Sequence, residues 1–386
     1  MSLLSLMGTL PYVPAPRRLA ALLALVAAAA ACGGGSSGNV ATHSPSPTTS
    51  EASPRVSASA SATSASPSPQ RVTQPYGVLI SSQAATSYAV SLIGVDGRVA
   101  ASAQTSTPPQ VSCANAAAAL VSAPVSTSDS RVYFMDAQGV VAFLAPNGDT
   151  GRATTVPAPS GSRRSMFAVS PDDRRIAVIV DDFNASGAAT RLYVEDLDGG
   201  ANHLELFSEN GAFTLWPTGW HGTNNLVLAK VPSCTQGGGP FCCGPLELHV
   251  VDPANANRRF ILGNAGCVIA GTPSPAGVVC EDTANLGATV LNWTAGTVRT
   301  FRIPGPAFAY ISPNGSQVAL VDNNGTSIQE TGRSMAGLYA CTWLDDGHVL
   351  SGGDPQHQPR LANVTDGTMV PVAAQGDCGG RLPGGL

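Results

Sequence analysis

The fold is decided by the stretch from Phe167 to Val180, which reads FAVSPDDRRIAVIV. Its middle is a turn, because Pro171 presets the backbone at the second turn position and an aspartate tolerates the third. The strand that follows is apolar on both faces, since Ile176, Val178 and Val180 alternate with alanine and isoleucine. A strand without a polar face must be covered on both sides. The stretch therefore predicts a tight turn that leads into a strand sandwiched between sheets.

The same pattern recurs along the chain. The clearest second copy spans residues 309–322, AYISPNGSQVALVD, and places Gly315 where a hairpin turn requires a positive φ. Weaker copies lie at residues 272–280, 342–350 and 219–228. Successive units are roughly 30 to 55 residues apart, which brackets the 40 to 45 residues expected for one four-stranded propeller blade. The repeat predicts a ring of such blades.

The unit resembles the blades of TolB-like, WD40-like β-propellers, in which Ser-Pro-Asp/Asn-Gly precedes an apolar strand and then a Leu-Tyr-Val-x-Asp strand, here residues 192–196. The resemblance implies an all-β fold with four-stranded antiparallel blades. We predict seven blades, with six as the alternative because the first unit has no obvious inner strand. The candidate blades lie near residues 76–104, 113–159, 165–208, 213–263, 267–305, 307–335 and 338–374.

The N-terminus resembles a bacterial lipoprotein signal. Arg17 and Arg18 precede an apolar run that ends at Ala31, and Cys32 follows it. We predict cleavage after residue 31 and acylation of the Cys32 thiol by lipid such as palmitate. An ordinary signal peptide and a transmembrane anchor are the alternatives. The length of the apolar run argues against the anchor, because the run is shorter than the roughly 18 to 20 residues that span a bilayer. This places the protein at the extracytoplasmic face of the cell membrane, anchored by lipid.

The predicted domain boundaries follow from composition. Residues 1–31 are the signal peptide, and residues 32–71, rich in serine, threonine, proline and alanine, form a disordered tether. The propeller takes residues 72–378, and residues 379–386 form a disordered tail. Only 12% of residues are charged, and 42 glycines and 30 prolines indicate many turns, which favours an all-β domain.

The charge balance argues against nucleic acid as a partner. The formal net charge is −5, and loss of Arg17 and Arg18 on cleavage makes the mature chain more acidic. Binding to phosphates normally requires a clustered basic surface. We predict no nucleic-acid partner, no cofactor and no metal.

Eight of the nine cysteines remain after Cys32 is set aside, and an even number in an exported chain favours disulfides. We predict a bond between Cys267 and Cys280, which a hairpin would place side by side. The remaining candidates are Cys341 with Cys378, Cys234 with Cys242 or Cys243, and Cys113 with the unused member of that vicinal pair. A zinc site at Cys234, Cys242 and Cys243 is the alternative, but it lacks paired Cys-x-x-Cys arms.

Polar and aromatic residues near the predicted inner turns form a candidate ligand rim. Its members are Trp220, His221, Trp343, His348, Asp354 and His357. A Gly-x-Ser-x-Gly motif at residues 34–38 lies in the tether and cannot form the strand-turn-helix of a hydrolase. The acidic pair at residues 181–182 and the Asp-Asn-Asn-Gly segment at residues 322–325 lack the spaced ligands of a calcium loop and are better explained by hairpin turns.

These observations favour a non-catalytic binding module of the cell envelope, which contacts a protein or small-molecule ligand at the mouth of the ring. The alternative is an extracellular hydrolase or lyase acting on a sugar, peptide or lactone. It would require histidine, arginine and carboxylate groups that converge on the ring axis, with His221 and His348 within hydrogen-bond reach of an acid. A purely structural role in the envelope is the third hypothesis.

Overall fold

The computed structural model describes residues 69–84, 86–111, 124–184, 187–232, 247–269, 271–282, 284–305, 307–353 and 357–386. Within these ranges the chain forms 28 strands, arranged as seven four-stranded antiparallel sheets. The described ranges contain no helix that is long and apolar enough to cross a membrane. The sheets are the blades of a seven-bladed β-propeller. The predicted fold class is confirmed, and the six-bladed alternative is wrong.

Six of the blades are built from consecutive strands, and the first strand of each is the inner one. Blades 2 to 4 contain β4 (Val125–Thr127), β5 (Val132–Met135), β6 (Val140–Leu144) and β7 (Thr150–Thr155); β8 (Arg163–Val169), β9 (Arg175–Asn184), β10 (Gly187–Asp196) and β11 (Leu204–Gly211); and β12 (Phe213–His221), β13 (Asn225–Pro232), β14 (Glu247–Val251) and β15 (Arg258–Leu262). Blades 5 to 7 contain β16 (Val268–Ile269), β17 (Val278–Asp282), β18 (Gly287–Leu291) and β19 (Thr297–Arg302); β20 (Phe308–Ile311), β21 (Val318–Asp322), β22 (Gly325–Ile328) and β23 (Ser334–Ala336); and β24 (Ala340–Asp345), β25 (His348–Ser351), β26 (Arg360–Asn363) and β27 (Met369–Pro371).

Blade 1 combines the two ends of the propeller. It contains β1 (Tyr76–Ala84), β2 (Ser87–Gly94) and β3 (Val99–Ser106), and its inner strand is β28 (Asp377–Leu382), which pairs antiparallel with β1. The first unit lacks an inner strand in sequence because the C-terminal segment supplies it. The expected end of the propeller at residue 378 and the expected tail at residues 379–386 are therefore wrong.

The motif that predicted the blades forms the same turn in both of its clearest copies. The Ser170 hydroxyl lies 2.6 Å from a carboxylate oxygen of Asp172, and the Ser312 hydroxyl lies 3.0 Å from the side-chain oxygen of Asn314. Gly315 has a φ of 78°. In the first copy Asp173 takes the equivalent conformation, with a φ of 59°. Its carboxylate accepts hydrogen bonds from blade 2, which explains an aspartate where glycine would strain less.

The hydrophobic core lies between neighbouring blades rather than in one central mass. Residues Ile176 to Val180 of β9 are all buried, and alternate side chains of this strand join different clusters. Ile176 and Val178 pack with residues of blade 2, whereas Ala177 and Ile179 pack with blade 4. Each middle strand thus contributes to two interfaces, which is why the sequence places apolar residues on both of its faces.

Candidate functional site

A cavity of about 400 Å³ opens at the centre of the ring. All seven blades contribute to its wall, mainly through their inner strands. The wall residues, taken from blade 1 to blade 7, are Ile80 with 378–381, 125–127, 164–167, 216–220, 272–274, Tyr310 with Ile311, and 341–343. Residues 107–111 and the last two residues, Gly385 and Leu386, also line it. This cavity is the candidate site.

The wall of the cavity is positively charged and aromatic. Among the described residues that line it, Arg164 and Arg381 are the only ones whose side chains carry charge at neutral pH, although the chain as a whole is acidic. Trp216, Trp220 and Trp343, three of the four tryptophans of the chain, lie in the same wall. Such a lining suits a ligand with an apolar body and a negatively charged group.

Arg164 occupies the second position of β8, the inner strand of blade 3. Its side chain is 6% exposed, and its guanidinium carbon lies 4.7 Å from the ring centre of Phe183 and 5.2 Å from that of Trp216. Both rings stabilise the cation. Burial lowers the pKa of the Arg164 guanidinium, and the charge of Asp181 opposes this effect. An arginine stays protonated even so, and the site therefore holds a buried positive charge.

Several buried hydrogen-bond donors in the cavity wall have no acceptor. All three guanidinium nitrogens of Arg164 belong to this group, together with the indole nitrogen of Trp216 and the hydroxyls of Thr107 and Thr218. Each of these four residues lines the cavity. Buried donors normally have acceptors, because leaving one unpaired costs about 1 to 3 kcal/mol. Their concentration in one wall marks it as the place where a ligand with acceptor oxygens fits.

Asp181 is the carboxylate nearest to Arg164 along the sheet. It is the cross-strand partner of Arg164 in β9 and is completely buried. One carboxylate oxygen accepts hydrogen bonds from Thr190, at 2.7 Å, and from Thr214, whereas the other has no donor. Burial raises the pKa of Asp181, and the two threonine hydrogen bonds and Arg164 act in the opposite direction. No hydrogen bond joins Asp181 to the Arg164 guanidinium.

Residues 383–386, which we call the latch, run from blade 1 across the inner ends of blades 2 to 4. The amide of Gly384 donates to the carbonyl oxygen of Ser128 at 2.6 Å, and the amide of Leu386 donates to that of Trp220 at 2.7 Å. Nδ1 of His221 lies 2.5 Å from the carbonyl oxygen of Leu386. Arg381, at the start of this path, donates to the carbonyl oxygen of Pro383. The latch therefore covers part of one end of the cavity.

The two tryptophans of the predicted rim border the cavity but are held by structural hydrogen bonds. The Trp220 indole donates to the carbonyl oxygen of Ala168 in blade 3 at 3.0 Å. The Trp343 indole donates to that of Tyr310 in blade 6 at 2.8 Å. Both side chains are almost completely buried. Each tryptophan joins its inner strand to that of the preceding blade, so it shapes the wall and leaves no free N–H for a ligand.

The histidines of the predicted rim are not brought together. His221 ends β12 in blade 4, where its ring stacks on Trp293 at 5.4 Å. His348 starts β25 in blade 7, and its Nδ1 lies 2.9 Å from a carboxylate oxygen of Asp345. Neither these two nor His357 lines the cavity, and Asp354 lies outside the described residues. The rim therefore does not form one cluster among the residues that can be described.

Two predicted disulfides are confirmed. Cys267 and Cys280 join β17 to the residue that precedes β16, with Cα atoms 5.0 Å apart. Cys341 and Cys378 are also bonded, with Cα atoms 5.8 Å apart. The second bond joins the inner strands of blades 7 and 1 across the seam of the ring, rather than fastening the last blade to itself.

The remaining predicted sites have mixed outcomes. Cys32, Cys113, Cys234, Cys242 and Cys243 lie outside the described residues, as do the signal peptide and nearly all of the tether. In the described ranges no group of three potential metal ligands occurs. The Asp-Asn-Asn-Gly segment at 322–325 forms a hairpin turn, as predicted, between β21 and β22. The pair at 181–182 does not, because both residues lie within β9, where Asp182 pairs with Arg163 at 2.7 Å.

The arginine of the cavity carries a signal that was readable in the sequence but was missed. Strand residues alternate between two faces, so Arg164 shares its face with Met166 and Ala168, which are buried. A charged side chain on the apolar face of a predicted inner strand is unusual. Arg381 has no such signal, because the strand that holds it is rich in glycine and its pairing partner, β1, lies about 300 residues earlier in the chain.

Glu281 is a second buried ionisable group, remote from the cavity wall. It is 3% exposed, and one of its oxygens has no hydrogen-bond partner. Burial raises the pKa of its carboxyl group to about 7, although a hydrogen bond from the backbone of Ala307 lowers it. In the unfolded chain the carboxyl ionises near 4.5. Below that pH the group has no effect on stability, and as pH rises from 4.5 to about 7 the folded state loses stability.

We therefore expect Glu281→Gln to leave stability unchanged at pH 4 and to raise the free energy of unfolding at pH 8 by up to about 3 kcal/mol. Urea unfolding of both proteins over this pH range measures the difference. Glu247→Gln is the matched control, and it should lower the free energy of unfolding at pH 8. The reason is that the hydrogen bond from Lys230 lowers the pKa of Glu247 and so stabilises its ionised form in the folded protein. A stability difference for Glu281→Gln that does not change with pH would contradict the expectation.

Comparison with known proteins adds the fold alone. No family model matches the chain, and no curated protein matches it. An oligogalacturonate lyase from Vibrio parahaemolyticus is similar in structure, with a TM-score of 0.45 and 9% identity over 76% of this chain and 97% of that one. A putative TolB from Agrobacterium tumefaciens has a TM-score of 0.37 and 13% identity over 66% and 82%. The computationally designed protein Ika8 has a TM-score of 0.42 and 12% identity over 80% and 91%.

A putative TolB is thus among the structures that are similar to this chain. At these identities and TM-scores the likenesses carry no argument about activity or ligand.

Proposed function

We propose that the protein is a lipid-anchored, extracytoplasmic binding module whose ligand occupies the central cavity. The observation that supports binding there is the set of unpaired buried donors on Arg164, Trp216, Thr107 and Thr218, all in one wall. The anchor is supported by the sequence around Cys32. A propeller on a tether would hold the cavity away from the membrane, where a ligand or partner has free access.

The enzyme alternative has less support. A hydrolase or lyase needs a general acid, a general base or a nucleophile positioned against the substrate. The described residues that line the cavity include no histidine, aspartate or glutamate. His221 and His348, the two candidates for such a role, lie in different blades and each has a partner of its own. The wall is better suited to holding a ligand than to transferring its protons.

One preparation tests both parts of the proposal. The full chain is isolated from the membrane fraction as wild type and as two variants, Thr218→Phe, which fills the cavity, and Val298→Phe, which changes an exposed residue of β19. We expect mass spectrometry to detect diacylglyceryl on Cys32 in all three. In native mass spectra, a co-purifying ligand should be present in wild type and Val298→Phe and absent in Thr218→Phe.

An unmodified Cys32 would contradict the anchor. A ligand that is retained equally in Thr218→Phe would place binding outside the cavity, and its absence from all three proteins would argue against the binding function.

A further inference from the structure

The unpaired N–H groups of Arg164 define the chemistry of the ligand more closely than the cavity alone. We propose that the Arg164 guanidinium binds an anionic oxygen group of the ligand, a carboxylate or a phosphate, in the central cavity; this inference rests on the function proposed above. Three arguments support it.

The first argument is the cost of burial. A charged group that leaves water needs a partner of opposite charge or several hydrogen bonds. Arg164 has two aromatic rings near it, and none of its N–H groups has an acceptor. Contact with rings stabilises the cation without using its N–H donors. The fork of a guanidinium matches the two oxygens of a carboxylate or phosphate, so an anion satisfies several of these donors at once.

The second argument is the contrast with the neighbouring arginine. Arg163 is the preceding residue, and its side chain points to the opposite face of β8. It forms a bidentate pair with Asp182, at 2.7 Å and 3.2 Å. The same strand pair sets Arg164 opposite Asp181, but there the carboxylate accepts from Thr190 and Thr214 instead of from the arginine. The N–H groups of Arg164 therefore have no acceptor on Asp181 and are available to a ligand.

The third argument is the field inside the cavity. Arg381 adds a second positively charged side chain to the wall, and no aspartate or glutamate lies among the described wall residues. Charges that are shielded from bulk water interact more strongly than charges at the surface. The donors of Trp216 and Thr218 lie in the neighbouring inner strand and are available to the same anion.

The test uses three small aromatic compounds that differ in one group: 4-nitrobenzoate, 4-nitrophenyl phosphate and the neutral 4-nitrobenzamide. Nitroaromatic compounds quench indole fluorescence on contact, and three tryptophans line the cavity. We expect at least one anion to quench the wild-type protein at about tenfold lower concentration than the amide, because charged hydrogen bonds are roughly twice as strong as neutral ones. Quenching by the carboxylate alone assigns a carboxylic acid, and quenching by the phosphate alone assigns a phosphorylated ligand.

Arg164→Met should reduce the preference for the anion to about twofold or less, and Arg163→Met is the matched control that should retain it. If the preference survives in Arg164→Met, or if all three compounds quench wild type equally, the anion site is wrong while the cavity remains a binding site. If none of the three quenches, both the anion site and the binding function proposed for the cavity are contradicted.

Stability without ligand is an independent readout. If Arg164 serves only as an internal partner of Asp181, Arg164→Met leaves a buried carboxylate unpaired and should unfold at a much lower temperature. The anion site predicts the reverse, because the variant removes a buried charge whose N–H groups have no acceptor. An unchanged or higher melting temperature supports the proposal, and a large decrease, or failure of Arg164→Met to fold, overturns it.

Discussion

Deletion of residues 377–386 is expected to leave a chain that does not form a soluble, cooperatively folded propeller. The deletion removes β28, the inner strand of blade 1, and leaves the N–H and C=O groups along one edge of β1 unpaired. It also exposes apolar residues on both faces of β1, since Val78 and Leu79 belong to the interfaces with blades 2 and 7 respectively. Circular dichroism measures the loss of folded structure in the shortened chain relative to the full chain, and size-exclusion chromatography measures its aggregation.

The control for this deletion is a chain that ends at Leu382, which keeps β28 and lacks only the latch. It should remain folded and lose the hydrogen bonds that the latch makes with Ser128, Trp220, His221 and Arg381. A synthetic peptide of residues 377–386, added to the longer deletion, should restore folding by strand addition. The same peptide with Gly379→Val should not, because a Cβ at Gly379 would lie 2.8 Å from the side chain of Ile80. Normal folding of the longer deletion without the peptide would contradict the role of β28.

Replacement of both Cys341 and Cys378 by alanine is expected to lower the free energy of unfolding by about 4 kcal/mol. The bond closes a loop of 37 residues, and on the chain-entropy model such a loop restricts the unfolded chain by about this amount. It also fastens β28 to β24 at the seam, where blade 1 has no covalent turn between its inner strand and β1. Urea unfolding without reductant measures the loss.

The matched control replaces Cys267 and Cys280, which close a loop of 13 residues within blade 5. It should cost slightly less, about 3 kcal/mol. Because the two expected losses of stability are similar, hydrogen exchange distinguishes the two double-cysteine variants better than unfolding does. Loss of the seam bond should increase exchange in β1 and β28, whereas loss of the blade 5 bond should increase it in β16 and β17. Unchanged exchange in β1 and β28 after loss of the seam bond would show that the seam does not depend on it.

The blades were predictable because the information that forms them is local. The turn at Ser170 to Asp173 and the strand from Ile176 to Val180 are encoded within about fifteen residues, and turn chemistry and apolar patterning act over that distance. The Cys267–Cys280 bond was predictable for the same reason, since a single hairpin brings both residues together.

The closure of the ring and the candidate site were not predictable in this way. Residues 379–386 were predicted as a tail because the glycines there carry no strand pattern. The edge of β1, about 300 residues earlier, pairs with this part of the chain, and the disulfide to Cys341 fastens it. The predicted rim relied on residue type near turns, which does not reveal that Trp220 and Trp343 are engaged by carbonyl groups of neighbouring blades.

Composition, repeat spacing and turn motifs were therefore sufficient to assign the all-β propeller and the approximate limits of its blades, because each blade is specified by short-range interactions. Tertiary structure alone decided the closure of the ring by β28, the position of the Cys341–Cys378 bond across the seam and the cavity around Arg164. These features depend on side chains from distant parts of the chain, and whether a buried arginine has an acceptor is determined by what the other blades place beside it.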